Sequence, residues 1–273
     1  MNTLEGVALT IVALFVFGRA RLGDPRGFLV RLGLLVIASW IAEDTSIRAY
    51  GFYAYDARWS LFVDKVPLAI ALIWPVVIHS AWDLARHLSG KGQSKVVWVG
   101  SALVLADASL IEPVSVASGL WRWTEPGLFN VPPIGILGWV FHAGLCMAVL
   151  ERAKGRVKQE ALTLLTPFGT HALLLGGWWG CLRWMNAAVP PNVAIGVVWI
   201  LSVVLTYASR RSSARHRVKL AEFLLRVPAA TFFFVLLAIY GHSQPQLVAW
   251  TLAFVPPYCS LMDLRRAATN AAS

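Results

Sequence analysis

The sequence predicts an all-α fold: a polytopic bundle of about eight or nine transmembrane helices, with the N-terminus outside and the C-terminus cytoplasmic. Three observations carry this. Hydrophobic residues make up 58% of the 273-residue chain and charged residues only 14%, too little polar surface to cover a water-soluble globule. Apolar runs approaching the roughly 20 residues that cross a bilayer recur along the whole length. Lys and Arg gather in short clusters between those runs, and the clusters skip every second junction.

The apolar segments fall at about 3–18, 28–43, 66–85, 96–117, 133–151, 161–182, 190–208, 220–241 and 245–263. The first has no basic residues ahead of it and no small-residue cleavage site behind it, so it reads as a retained span rather than a signal peptide. The first two are short and the last contains Pro256-Pro257, which leaves room for a lower count. The basic clusters are Arg19/Arg21/Arg26/Arg31, Arg86/Lys91/Lys95, Arg152/Lys154/Arg156/Lys158, Arg210/Arg211/Arg215/Arg217/Lys219 and Arg265/Arg266. Each follows an odd-numbered segment, and one orientation satisfies them all by the preference of Lys and Arg for cytoplasmic loops. Solvated loops alone would explain their polarity but not the alternation. With no low-complexity linker and no internal repeat, residues 1–273 read as a single transmembrane domain. The natural location is the prokaryotic cell (inner) membrane, with the lipid bilayer as the main partner.

The formal charge of +10 belongs to this topology signal and not to a nucleic-acid-binding face, so no nucleic acid is expected. Cys146, Cys181 and Cys259 lie in apolar segments without CxxC spacing, which argues against disulfides and zinc and favours small core residues.

Two outer connections differ from the rest. Segments two and three are joined by EDTSIRAYGFYAYDARWSLFVDK, and segments four and five by SGLWRWTEPGLFNVP. Both are aromatic and of mixed charge, with Gly or Pro, as in ordered loops. An interfacial belt of Trp and Tyr explains single aromatics, but two long outer connections crowded with rings and acids suggest a site.

Ionisable groups at membrane depth are costly and usually face a cavity or the bundle interior. Asp107 lies near the middle of segment four, Glu112 five residues on and directly before Pro113, and Glu43-Asp44 close segment two. A five-residue helical step turns side chains by about 140°. Asp107 and Glu112 therefore share a face only if Pro113 bends or ends the helix, and a break is expected there. A carboxyl kept protonated in such a place can serve as an acid, and two or three together suit proton transfer. The structural alternative is that Asp107 pairs with Arg122, Arg183 or His142. Arg226 is expected to pair with Glu222 or to reach an interface, and Asp83 to sit at a helix end.

His79, His142 and His171 are intramembrane, but without HxxxH or HxxH spacing they read as hydrogen-bonded core residues and no metal site is expected. GxGxxG, GxxxxGK[ST] and GxSxG are absent, so chemistry here should need no soluble cofactor.

The run DASLIEPVSVASGLWRWTEPGLFNVPPIGILGW resembles the signature of the integral-membrane carotenoid biosynthesis family that includes carotenoid 1,2-hydratases acting on γ-carotene and bisanhydrobacterioruberin. Asp107, Glu112-Pro113, Trp121, Trp123, Gly127, Phe129, Val131-Pro132 and Gly138-Trp139 fill its places. Upstream, Glu43, Gly51, Tyr53, Tyr55, Val66-Pro67-Leu68 and Trp74 are similar to its other block. Glu112 stands where that pattern has Asp, and Asn130 where it has Gly. Pro133-Ile-Gly-Ile stands where it places a polar Asn.

The resemblance covers roughly residues 40–140 and implies hydration of a terminal isoprene double bond in a hydrophobic isoprenoid or carotenoid substrate. On that reading Asp107, Glu112 and Glu43 are the catalytic carboxyls. Asp44, Tyr53, Tyr55, Trp74, Trp121, Trp123, Trp139 and His142 form the substrate-binding surroundings. Aromatic faces would stabilise a tertiary cation, and the three carboxyls should converge on one cavity walled by Trp121 and Trp123. The same arrangement could cyclise an isoprenoid by losing a proton instead of adding water. A proton-coupled transporter or lipid-binding protein is the alternative of another class, although the paired broken helices of many transporters are not evident.

Overall fold

The structure, a computed structural model, describes residues 1–89, 92–186, 189–211 and 220–261. Of the basic clusters, Lys91, Arg215, Arg217, Lys219, Arg265 and Arg266 lie outside the described residues. The chain is an all-α helical bundle whose main helices are α1 (Asn2–Ala20), α2 (Pro25–Tyr50), α3 (Leu68–Ser89), α4 (Gln93–Ala117), α5 (Pro133–Arg152), α6 (Arg156–Leu173) and α7 (Pro191–Arg211). Helices α8 (Leu220–Leu224) and α9 (Val227–Leu236) form one helical run that ends in wide π turns at Leu237–Gly241. Helices α10 (Pro245–Leu252) and α11 (Val255–Ser260) complete the described chain.

Among the described residues seven helices are long and apolar enough to cross a membrane: α1 to α5, α7 and the run Leu220–Gly241. Two of the nine expected segments differ for local reasons. Helix α6 opens on Arg156, Lys158 and Glu160, which shortens its apolar stretch, before π turns extend it over Leu174–Leu182. The last segment divides into α10 and α11, with Pro256 in the first turn of α11, where its missing N–H is no loss.

Helix α2 shows how sequence sets the ends. Asp24 caps its start by accepting from the Gly27 amide at 3.0 Å, and Pro25 occupies the first turn. Gly51 ends it with φ of +64°, a left-handed conformation that glycine adopts without a Cβ penalty.

Helix α4 does not break at Pro113, contrary to expectation; it continues to Ala117. Proline removes the donor that would satisfy the Ser109 carbonyl. The Trp250 indole N–H of α10 replaces it at 2.7 Å, so no helix end is needed. In α6 the carbonyl freed by Pro167, that of Thr163, accepts from the Thr166 hydroxyl at 2.7 Å.

The two aromatic connections, residues 51–67 and 118–132, are both ordered. Strand β1 (Tyr53–Tyr55) pairs antiparallel with β4 (Trp121–Trp123), and a second ribbon joins β2 (Phe62–Val63) to β3 (Val66–Pro67). Side chains from the helices tie these ribbons down. Asp44 accepts from the Lys65 amide at 3.0 Å and pairs with Arg48, which also pairs with Asp64. Glu5 of α1 accepts from the Ser60 amide at 3.0 Å and from its hydroxyl.

Within the bundle α4 packs between α3 and α5, while α2 packs on α6 and α3. Trp74 of α3 and Trp139 of α5 stack with ring centroids 3.6 Å apart. Cys146 is buried as expected. Cys181 and Cys259 are instead exposed, so they are not the core residues the apolar segments suggested. Asp83 is also more than a helix-end residue: Arg19 donates to it at 2.5 Å and His79 lies 3.2 Å away, which ties α1 to α3.

Candidate active site

The site is built by the two-residue period of a short ribbon. The β1–β4 register opposes Tyr53 to Trp123, Ala54 to Arg122 and Tyr55 to Trp121. Alternate side chains share a face, so four rings point one way while Ala54 and Arg122 point the other. Tyr53 packs on Trp123 with centroids 4.6 Å apart, and Tyr55 meets Trp121 edge-on at 5.8 Å.

Beneath this aromatic roof lie two carboxyls near the C-terminal ends of α2 and α4. Glu43 is 8% exposed and Glu112 is 2% exposed. A buried carboxyl needs donors, and the roof supplies them. Tyr55 donates its hydroxyl to Glu43 Oε1. Both roof indoles donate to Glu112 Oε2, Trp121 at 2.8 Å and Trp123 at 3.2 Å. Burial raises the Tyr53 and Tyr55 phenols well above their ordinary range, and the nearby Glu43 carboxylate adds to this.

Between the roof and the helices is a cavity of about 50 Å³ lined by both carboxyls, room for one or two waters at about 30 Å³ each. Among its described lining residues there is no Lys or Arg. Trp139, His142 and Thr170 form its floor. The Thr170 hydroxyl donates to the Thr166 carbonyl at 3.0 Å, so it accepts from His142 Nδ1–H at 2.9 Å. That assigns the His142 tautomer and leaves Nε2 to accept from Ser39 Oγ at 3.1 Å. Gly135 admits the roof: a Cβ there would lie 2.6 Å from the Trp123 ring.

The structure thus brings together Glu43, Glu112, Tyr53, Tyr55, Trp121, Trp123, Trp139 and His142. It does not bring Asp107, Asp44 or Trp74 to this cavity. Asp107 lies on another face of α4, because the unbroken helix keeps the five-residue rotation from Glu112. There it bonds Arg226 at 2.5 Å and the Tyr258 hydroxyl at 2.6 Å. Arg226 accordingly pairs with Asp107, not Glu222, and none of Arg122, Arg183 and His142 is the partner of Asp107. Asp44 anchors the β2–β3 ribbon, and Trp74 supports Trp139 from behind.

Ser39, Gly135 and Thr170 were missed by sequence reasoning. Small and hydroxylated residues in apolar helices give no distinctive signal, and only the approach of α2, α5 and α6 gives them a role. Asn130, one of the departures from the family pattern, has φ of +62°, a conformation Asn tolerates better than other residues with a Cβ. Among the described residues no group of three or more His, Cys, Asp or Glu side chains could hold a metal ion.

A family model described as carotenoid biosynthesis protein matches residues 2–202. No curated protein and no solved structure matches the chain. The matched stretch contains α1 to α6, both ribbons and all the residues of the carboxyl cavity, and it extends well beyond the segment that carries the sequence resemblance. The chain is an integral membrane protein that belongs to the carotenoid biosynthesis protein family.

Proposed function

We propose that the chain is an enzyme that adds water across a terminal isoprene double bond of a carotenoid, using Glu43 and Glu112 without a cofactor. The observation that carries this reading is the convergence of two carboxyls from different helices in a water-sized cavity under four aromatic rings. One carboxyl donates a proton to one alkene carbon, leaving a tertiary cation on the other. Water attacks that cation, and the second carboxylate takes the proton the water gives up. Proton exchange between the carboxyls returns both to their starting states, so alkene plus water gives alcohol with nothing left over.

The faces of Tyr53, Tyr55, Trp121 and Trp123 suit a transient cation, while the absence of Lys and Arg from the described lining spares it repulsion. The cavity is too small for a polyene. Only the chain end enters, after the ribbon shifts, while the rest stays in lipid. The basic residues at the opposite ends of α1, α3 and α5 support a non-cytoplasmic position for the ribbons.

Expression in a host accumulating acyclic or monocyclic carotenes tests the proposal. The expected product is heavier than its precursor by one water, and Glu43→Gln or Glu112→Gln should lower its formation about 100-fold or more. A product of unchanged mass would point to cyclisation. Equal hydration by wild type and both variants would remove the carboxyls from the mechanism.

A further inference from the structure

The geometry points to a second binding site, separate from the carboxyl cavity, which takes the end of a long, neutral, lipid-soluble molecule carrying one hydroxyl or keto oxygen. Between α1, α3 and α4 on one side and α9 and α11 on the other runs an apolar groove of about 210 Å³, walled by rings such as Phe15, Phe232 and Phe254. It is smaller than the roughly 300–1,000 Å³ that encloses a whole small ligand. An occupant therefore inserts one end and leaves the remainder among lipid chains.

A polar island interrupts the apolar wall. Arg226 donates to Ser80 Oγ at 2.8 Å, to Asp107 at 2.5 Å and to the Tyr258 oxygen at 3.4 Å, while the Tyr258 hydroxyl donates to Asp107 at 2.6 Å. The Arg226 and Asp107 side chains are 17% and 12% exposed. A guanidinium carries five N–H donors, and the bonds to Ser80, Asp107 and Tyr258 leave donor capacity toward the groove. A pure hydrocarbon would cover these N–H groups without bonding them, at the cost of their desolvation. A neutral oxygen acceptor satisfies them.

Charge selects the ligand further. Asp107 neutralises Arg226, so an incoming anion would meet a carboxylate already on the same guanidinium, and a cation would meet the guanidinium itself. Arg226 and Tyr258 lie beyond residue 202, where the family match ends, whereas Ser80 and Asp107 lie within it. The site is therefore completed by the part of this chain outside the family match. It does not depend on the Glu43–Glu112 reading.

Cys259 is exposed and lines the groove, which makes it a reporter. In the full chain in detergent micelles with Cys181→Ala, labelling of Cys259 by N-ethylmaleimide is followed with geranylgeraniol, phytene or geranylgeranyl monophosphate. Geranylgeraniol at ten times its dissociation constant should slow labelling about tenfold, with phytene and the phosphate well behind. Arg226→Lys loses the planar fork and should abolish the preference for the alcohol while Cys259 still labels at the unprotected rate. The combined Asp107→Leu and Arg226→Met variant, which leaves no buried charge, should behave likewise. Equal protection by phytene, stronger protection by the phosphate, no protection by any probe, or a preference that survives both variants would each overturn the assignment.

Discussion

The Trp121 indole nitrogen stands 2.8 Å from the Glu112 carboxyl, so an acid on a spanning helix is held in place by a strand in the connection that follows it. Trp121→Phe keeps an aromatic but smaller ring and removes one of the two roof donors to that oxygen. The expected cost is about 1–3 kcal/mol of stability, because a buried acceptor loses a partner. In combination with Glu112→Gln the two effects should fall short of additivity by about 0.5–3 kcal/mol. Thermal unfolding of the four proteins in one detergent measures this.

Gly135→Ala should damage the roof without touching either carboxyl. Its Cβ would come within 2.6 Å of the Trp123 ring, and a rigid indole in a packed site cannot yield that distance freely. Overpacking of this kind costs about 1–3 kcal/mol. The expected result is a shifted tryptophan emission together with a loss of product formation; wild-type values for both would show that the roof accommodates the methyl group.

Trp250 and Pro113 should be coupled through a carbonyl that neither carries. Trp250→Phe strands the Ser109 carbonyl, with an expected loss of about 1–3 kcal/mol. Pro113→Ala restores a backbone donor four residues on, so the same Trp250 change should cost less in that background. Equal costs in both backgrounds would mean that the helix closes the gap by itself.

Arg226→Ala should be clearly destabilising, since it removes the ion-pair partner of Asp107, whose side chain is only 12% exposed. Breaking such a pair costs about 3–5 kcal/mol. Replacing both partners by Asp107→Leu and Arg226→Met should recover much of that. Denaturation midpoints of wild type, single and double variants decide it.

The roof phenols predict an alkaline limit. Burial raises the Tyr53 and Tyr55 pKa well above the ordinary value of 10.0. A group whose folded pKa is raised contributes its full stability below the unfolded value, and loses it as pH climbs toward the folded one. Stability should therefore decline above about pH 10, more steeply in wild type than in Tyr55→Phe. Phenolate absorbance followed alongside unfolding tests this; complete ionisation of the folded protein near pH 10 would contradict it.

Much of this was legible along the chain. The spans follow from apolar runs, because the backbone of each helix satisfies itself and only composition decides whether lipid accepts it. The rings of the roof, Tyr53, Tyr55, Trp121 and Trp123, were legible as candidates, but not the β1–β4 ribbon whose two-residue period sets them on one face. Glu43 and Glu112 stood out because buried carboxyls are costly to keep.

Asp107 stood out for the same reason, and here local pattern reached its limit. Sequence spacing gives a rotation about the helix axis, but the side that meets a cavity depends on the neighbouring helices. The two glutamates meet because a ribbon joining residues about 70 positions apart draws α2 and α4 under one roof. Asp107 goes elsewhere because Arg226, 119 residues away, occupies the opposite face, and because Trp250 makes it unnecessary for Pro113 to break the helix. Lipid solubility, seven of the nine expected span positions and the inventory of acids and rings came from the sequence alone, being properties of single segments. Which carboxyls share a cavity was decided only by tertiary packing, since convergence is a property of several helices at once.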